Sequence, residues 1–243
     1  MKMKRFTAWV TVGSLALVSL AGCNSTQRAE RLCTDPLQPV LSQLQPGSHA
    51  NLGIAVSAQD LARCTAEALG KLKGYREETT VNGQVRSHSQ VNINPLKVHM
   101  VIMQHQENNL EEVILIEGFS FAKVAGKWLQ ATEDSPDPAI RGLLNLPKSF
   151  QTQFNPRLRA AGTDPAIRYT LVSTGTVLGQ PVLVLEAKIA TGTTTYVSRY
   201  YVNKDYVLLR SDAVNSDGTT TTSQLTELDK PQAISNPMLP PKS

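Results

Sequence analysis

From Tyr75 onward the apolar residues of this chain recur at every second position, in run after run, with turn residues between the runs. That pattern restricts the fold most, because a period of two belongs to strands and not to helices. The runs at residues 75–81 and 84–94 flank Asn82-Gly83, the strongest short hairpin signal in the chain. In the second run Val85, Ser87, Ser89, Val91 and Ile93 are expected on one face, with Gln84, Arg86, His88, Gln90, Asn92 and Asn94 on the other. Residues 97–106 and 110–116 are apolar on both faces, which predicts strands covered on both sides. Residues 117–124 and 127–131 are expected to pair about Ala125-Gly126. Further strands are predicted at 167–177, 181–189, 193–202, 206–215 and 219–228. Among these, Leu183, Leu185, Ala187 and Ile189 form one apolar face. Most neighbouring strands have no helix between them, so the sheet is expected to be antiparallel.

Two stretches break the pattern. Residues 58–72 carry Leu61, Ala62, Ala68, Leu69 and Leu72 at helical spacing, with Ser57 as N-cap and Gly74 as the stop. A first helix is expected over 32–44, from Leu37, Val40, Leu41 and Leu44. Residues 134–165 hold Pro136, Pro138, Pro147, Pro156 and Pro165 around Ile140, Leu143, Leu144, Leu146, Phe150, Phe154 and Leu158. A structureless insertion of that length is uncommon in a compact domain, so short helices are expected at about 138–145 and 147–154. Residues 231–243 read as a proline-rich tail on the surface or without order.

The chain begins with Lys2, Lys4 and Arg5, followed by an apolar run over 6–20. This is the plan of a secretory signal, and it is short for a transmembrane helix. The next residues, Leu20-Ala21-Gly22-Cys23, resemble the lipobox of bacterial lipoproteins. The resemblance implies cleavage of residues 1–22, a diacylglycerol on the Cys23 thiol and acylation of the new amine, as with palmitate. The mature chain would work outside the cytoplasm, lipid-anchored to the cell membrane, or to an outer membrane if the organism has one. Residues 23–31 would be its tether. The signal holds three basic and no acidic residues, so the formal charge of +4 becomes +1 once it is removed. The pI near 9.0 therefore does not argue for a nucleic-acid partner. With Cys23 lipidated, Cys33 and Cys64 remain, and in an oxidising compartment they read as a disulfide. Two buried thiols are the alternative.

The order is distinctive: two helices, a long antiparallel run, a helical interruption, then more hairpins. It is carried by Gly74-Tyr75, Ala125-Gly126-Lys127-Trp128, the Leu-rich insert at 136–146, Gly179-Gln180-Pro181-Val182 and Ile234-Ser235-Asn236-Pro237. Over most of residues 32–237 this resembles the LolA/LolB carrier fold, and especially bacterial lipoproteins of the LprG/LppX type. The resemblance implies an α+β fold over 32–230. It would be an incomplete, half-open antiparallel β-barrel with helices packed over its concave face. An apolar cavity for acyl chains would lie between sheet and helices. Its candidate wall residues are Val85, Val91, Ile93, Met100, Ile102, Leu183 and Leu185, with Leu143, Leu144 and Phe150 on a gate spanning about 136–158. Partners would be membrane lipids or lipidated molecules, bound or transferred by a monomer. The alternative is the same fold with a filled cavity, an interaction or sensory module for another envelope protein.

No enzyme is expected. The chain lacks a G-x-S-x-G elbow and an H-E-x-x-H motif, and its histidines show no ligand spacing. His99 and His105 are about 20 Å apart in an extended strand. Glu77-Glu78 and Glu111-Glu112 point to opposite faces of their strands, so neither pair is a carboxylate dyad. The stretch from Asp212 to Gly218 lacks the acidic spacing and closing Glu of a calcium loop. Catalytic residues, a metal and cofactors are all expected to be absent.

Overall fold

The computed structural model describes Cys33, Leu37 and residues 53–103, 110–191 and 194–239. Strand β1 (Ala55–Ser57) leads into helix α1 (Ala58–Gly70). A meander follows: β2 (Gly74–Val81), β3 (Gln84–Asn92), β4 (Lys97–Ile102), β5 (Leu110–Ile116), β6 (Phe119–Val124) and β7 (Lys127–Gln130). The helical insert comprises α2 (Pro138–Gly142), a 3-10 turn (Leu143–Asn145), α3 (Leu146–Phe154) and α4 (Pro156–Ala161). A second meander closes the chain: β8 (Arg168–Val177), β9 (Gln180–Thr191), β10 (Thr194–Val202), β11 (Leu208–Asn215) and β12 (Thr220–Thr226).

The strands form one 12-stranded sheet, in the order β1-β8-β9-β10-β11-β12-β2-β3-β4-β5-β6-β7. Every pairing is antiparallel. The two meanders join where β12 pairs with β2, and among the described residues β1 and β7 stand at the edges. The fold is therefore the half-open antiparallel α+β barrel that the resemblance implied.

The helices lie on one face of this sheet. Leu61 and Cys64 of α1, together with Leu37, pack on Tyr169, Leu171, Leu183, Leu185 and Val202. Leu69 of α1 and Phe150 of α3 cover Tyr75, Val91, Val98 and Leu115. Ile140, with Leu143 and Leu144, covers Ala122 and Ala131 near the β7 edge. Cys33 and Cys64 form the expected disulfide, with their Cα atoms 5.3 Å apart. The first predicted helix, over 32–44, falls outside the described residues except for Cys33 and Leu37.

Several local expectations are corrected. Gly74 does not stop α1. The helix ends at Gly70, where the Lys71 N–H bonds the Ala68 carbonyl and the Leu72 N–H the Leu69 carbonyl, and Gly74 opens β2. Glu117-Gly118 is not strand but the two-residue turn between β5 and β6, with φ of 54° and 82°, as at Asn82-Gly83. Tyr206 precedes its strand. The Asn203 carboxamide oxygen accepts from the Asp205 and Val207 N–H groups and holds a turn there. The strand β1 is only three residues long and gives no periodic signal. Helix α4 was not expected, although its cues are local. Asn155 caps it by accepting from the Arg157 and Leu158 N–H groups, and Pro156 stands in its first turn.

One correction bears on the candidate site. A bulge interrupts the β2–β3 ladder, so Thr79 faces Ser87 but Thr80 faces Val85. Adjacent residues of β2 point to opposite faces, and cross-strand partners share a face. Val85 therefore lies on the opposite face from Ser87, not beside it.

The C-terminal residues are also more structured than a surface tail. Asn92 clamps Gln232 twice: its carboxamide N–H donates to the Gln232 carbonyl at 2.8 Å, and its oxygen accepts the Gln232 N–H at 2.7 Å. Ile234 then inserts among Ile114, Ile116, Phe121 and Trp128 on the convex face. Replacing Ile234 with Ala is expected to cost about 2 kcal/mol, at the low end for a buried aliphatic truncation. The shift of the urea midpoint measures it.

Candidate functional site

Cross-strand partners define rows across the concave face. The lowest row, Tyr75–Val91–Val98–Leu115, is fully buried under Leu69 and Phe150. Two residues further along each strand runs Leu225–Glu77–Ser89–Met100–Val113–Ala122. Above it runs Leu185–Tyr200–Ser211–Ser223–Thr79–Ser87–Ile102. The face thus changes character with height. Its base is packed and apolar, and its upper centre is a band of small hydroxyl side chains with apolar residues at both ends. Most of that upper band is half-buried. A residue that filled a dry core would be buried outright.

The row below the upper band contains one carboxyl group. Glu77 is ringed by protein, and desolvation pushes its carboxyl above the ordinary value, against a smaller opposing pull from the Ser223 hydroxyl. Thr79 and Ser223 share a hydrogen bond of 3.2 Å. Ser89, directly across from Glu77, is only 6% exposed. At the β8–β10 end Tyr169 stacks on Tyr200 with centroids 4.7 Å apart, and its hydroxyl bonds the Ser198 hydroxyl at 2.9 Å. Burial, chiefly, raises the Tyr169 pKa.

A crevice of about 410 Å³ opens where the insert meets the rim of the sheet. Leu115 lines it from β5 and Leu96 from the β3–β4 turn, Pro147 and Gln151 from α3, with Lys97 and Glu117 at its polar margin.

The residues proposed to bind lipid do not converge on a single pocket. Leu183 and Leu185 lie in the core under α1, fully buried. Val91 and Phe150 are buried in the central core, with Ile93 packed at its edge. Leu143 and Leu144 pack near the β7 edge. Met100 and Ile102 stand half-buried in the upper rows. Val85 is turned to the other face by the bulge. Sequence reasoning placed Ser89 on the face of Val91 but gave it no role, and it did not place Glu77 on the concave side. The available signal was alternation, which puts Glu77 on the same face as Tyr75.

The convex face carries paired charges. Asp212 accepts from Arg210 Nε at 2.9 Å and Nη2 at 3.0 Å, from Thr222 at 2.7 Å and from Tyr201 at 2.9 Å. Burial pushes its carboxyl up, but these hydrogen bonds together outweigh burial and hold it below the ordinary value. His99 and Lys123 grip Glu112 at 2.7 and 2.8 Å. Among the described residues no group of three His, Cys, Asp or Glu side chains could hold a metal ion. Among them, too, no helix is long and apolar enough to cross a membrane.

No family model matches the chain, and no curated protein matches it either. Solved structures do. LprF from Mycobacterium bovis superposes with a TM-score of 0.51 at 14% identity, over 74% of this chain and 96% of LprF. The likeness is one of fold, which this chain shares with LprF. The Mycobacterium tuberculosis lipoprotein LppX gives a TM-score of 0.49 at 13% identity, over 73% of this chain and 97% of LppX. A Pseudomonas aeruginosa MucA/MucB complex structure gives 0.43 at 18% identity, over 73% of this chain and 58% of the other. In this chain α1 and the helical insert lie over the same face of the sheet, and the upper band that they leave half-buried is the candidate site.

Proposed function

We propose that this chain is an extracytoplasmic lipoprotein, anchored through Cys23, that takes an amphiphilic lipid onto the concave face of its sheet. One observation carries the reading: the top row of that face, from Tyr200 to Ile102, remains half-buried, with Glu77 and Met100 just below it, above a base that is completely packed. Burial of methylenes against Met100 and Ile102 stabilises a bound chain without directed polar contacts. Residues 136–158 are the gate, since the insert packs on this face through Leu143, Leu144 and Phe150. Residues 1–22 are then the signal and 23–31 the tether, and the folded domain runs past 230 to include Ile234. The protein acts as a monomer and performs no covalent chemistry. Lipid anchoring takes two or more chains to be stable.

A second reading has its own support. Val91, Leu183, Leu185 and Phe150 are close-packed, as in a filled core that serves an envelope protein partner. Native mass spectrometry of the protein gently extracted from its membrane separates the two. Lipid adducts and saturable uptake of a fluorescent fatty-acyl probe are expected. A lipid-free protein that takes up no probe overturns the carrier reading.

A further inference from the structure

The strand carboxylates of this sheet are not treated alike. Glu78 lies 3.5 Å from His88, Glu111 is 3.9 Å and Glu112 2.8 Å from Lys123, Glu186 is 2.7 Å from Arg199 and Asp212 is 2.9 Å from Arg210. Each of these has a basic partner, and the pairs lie on or beside the convex face. Glu77 alone points to the concave side, and among the described residues no basic group lies within ion-pair distance of it. Its neighbour Ser89 is more than nine-tenths buried, and no described residue hydrogen-bonds its hydroxyl. Yet no fully enclosed side-chain polar atom among the described residues lacks a partner. The Ser89 hydroxyl therefore borders accessible space inside the sheet. Glu77 likewise keeps accessible surface while ringed by protein. Both descriptions fit groups that line an internal trough.

An enclosed carboxylate with no protein cation is costly. Such a site is complemented best by a cation that arrives with the ligand, because the charges then pair where water is scarce. We infer that Glu77 and Ser89 form the headgroup site of the trough, and that it takes an amphiphile with a cationic, amine-bearing headgroup. This rests on the carrier reading and sharpens it. The ammonium would donate to the Glu77 carboxylate and the Ser89 hydroxyl, and the chain would run along Met100 and Ile102, in the same rows of the face.

Dodecylammonium, dodecanoate and dodecyl maltoside, used below their micelle concentrations, can be compared as competitors of a fluorescent acyl probe on the purified protein. The amine is expected to bind about tenfold more tightly than either rival, the effect of one charge-assisted contact. In Glu77→Gln that preference is expected to disappear, with maltoside affinity unchanged and the melting temperature equal or higher. If Glu77→Gln fails to fold, Ser89→Ala serves instead, with amine affinity expected to fall about threefold. Chains that bind without an amine preference, a preference for the maltoside, or a preference that survives Glu77→Gln would each overturn the headgroup assignment and leave the carrier reading intact. An unchanged Ser89→Ala, where that variant has to stand in, overturns it as well. Failure of all three to compete would sink the carrier reading itself.

Discussion

Replacing Cys33 and Cys64 together with serine is expected to lower the unfolding free energy by roughly 3–4 kcal/mol. The bond spans 31 residues of sequence, and cutting it restores the freedom of that loop to the unfolded chain. The native state loses little else, because Cys64 sits on α1 within a core that also includes Leu37 and Leu61. Comparing oxidised wild type with the double variant in urea provides the measurement. A reduced wild type should match the variant. If the two differ by less than about 1 kcal/mol, the N-terminal segment is held by packing alone.

Gly74→Ala is expected to cost about 3 kcal/mol, the upper end for overpacking, because the clash is with backbone. A Cβ at this position would meet the Val91 carbonyl oxygen at 2.5 Å, the Lys230 carbonyl oxygen at 2.7 Å and Asn92 Oδ1 at 2.8 Å. Neither carbonyl can swing aside as a long side chain would. One belongs to β3, and the other to the segment that Asn92 clamps through Gln232. The variant should therefore unfold at lower denaturant and also loosen the C-terminal residues, which hydrogen exchange at Gln232 and Ile234 would report. A melting temperature within 2 °C of wild type would contradict this account of the close approach.

Much of the architecture was legible because the strands signal themselves locally. Asn82-Gly83 and Ala125-Gly126 mark turns whose backbone few other pairs adopt, and Leu183, Leu185 and Ala187 alternate cleanly. What the sequence hid were features set by pairing over a distance. Gly74 read as a helix stop because its real constraint comes from Val91 and Lys230, far along the chain. The bulge that turns Val85 away exists only in the ladder between two strands. Glu77 read only as one of two adjacent glutamates on opposite faces of a strand. Its isolation depends on which strands carry the nearest cations, and the row of cross-strand partners decides that. Apolar residues such as Leu185 and Met100 look alike in sequence, yet one is sealed beneath α1 and the other stands in the upper rows.

The junction between the two meanders has a temporal meaning. Register partners such as Thr226 and Arg76 lie on strands separated by the whole helical insert and nine other strands. Residues near the start of the first meander therefore wait for the final strand before their outer edge is satisfied, and β1 waits for β8. Contacts of such high sequence separation make folding slow relative to local hairpins. A chain threaded through a membrane with its N-terminus first would thus stay unlocked for most of its passage, and its barrel would come together only on the far side.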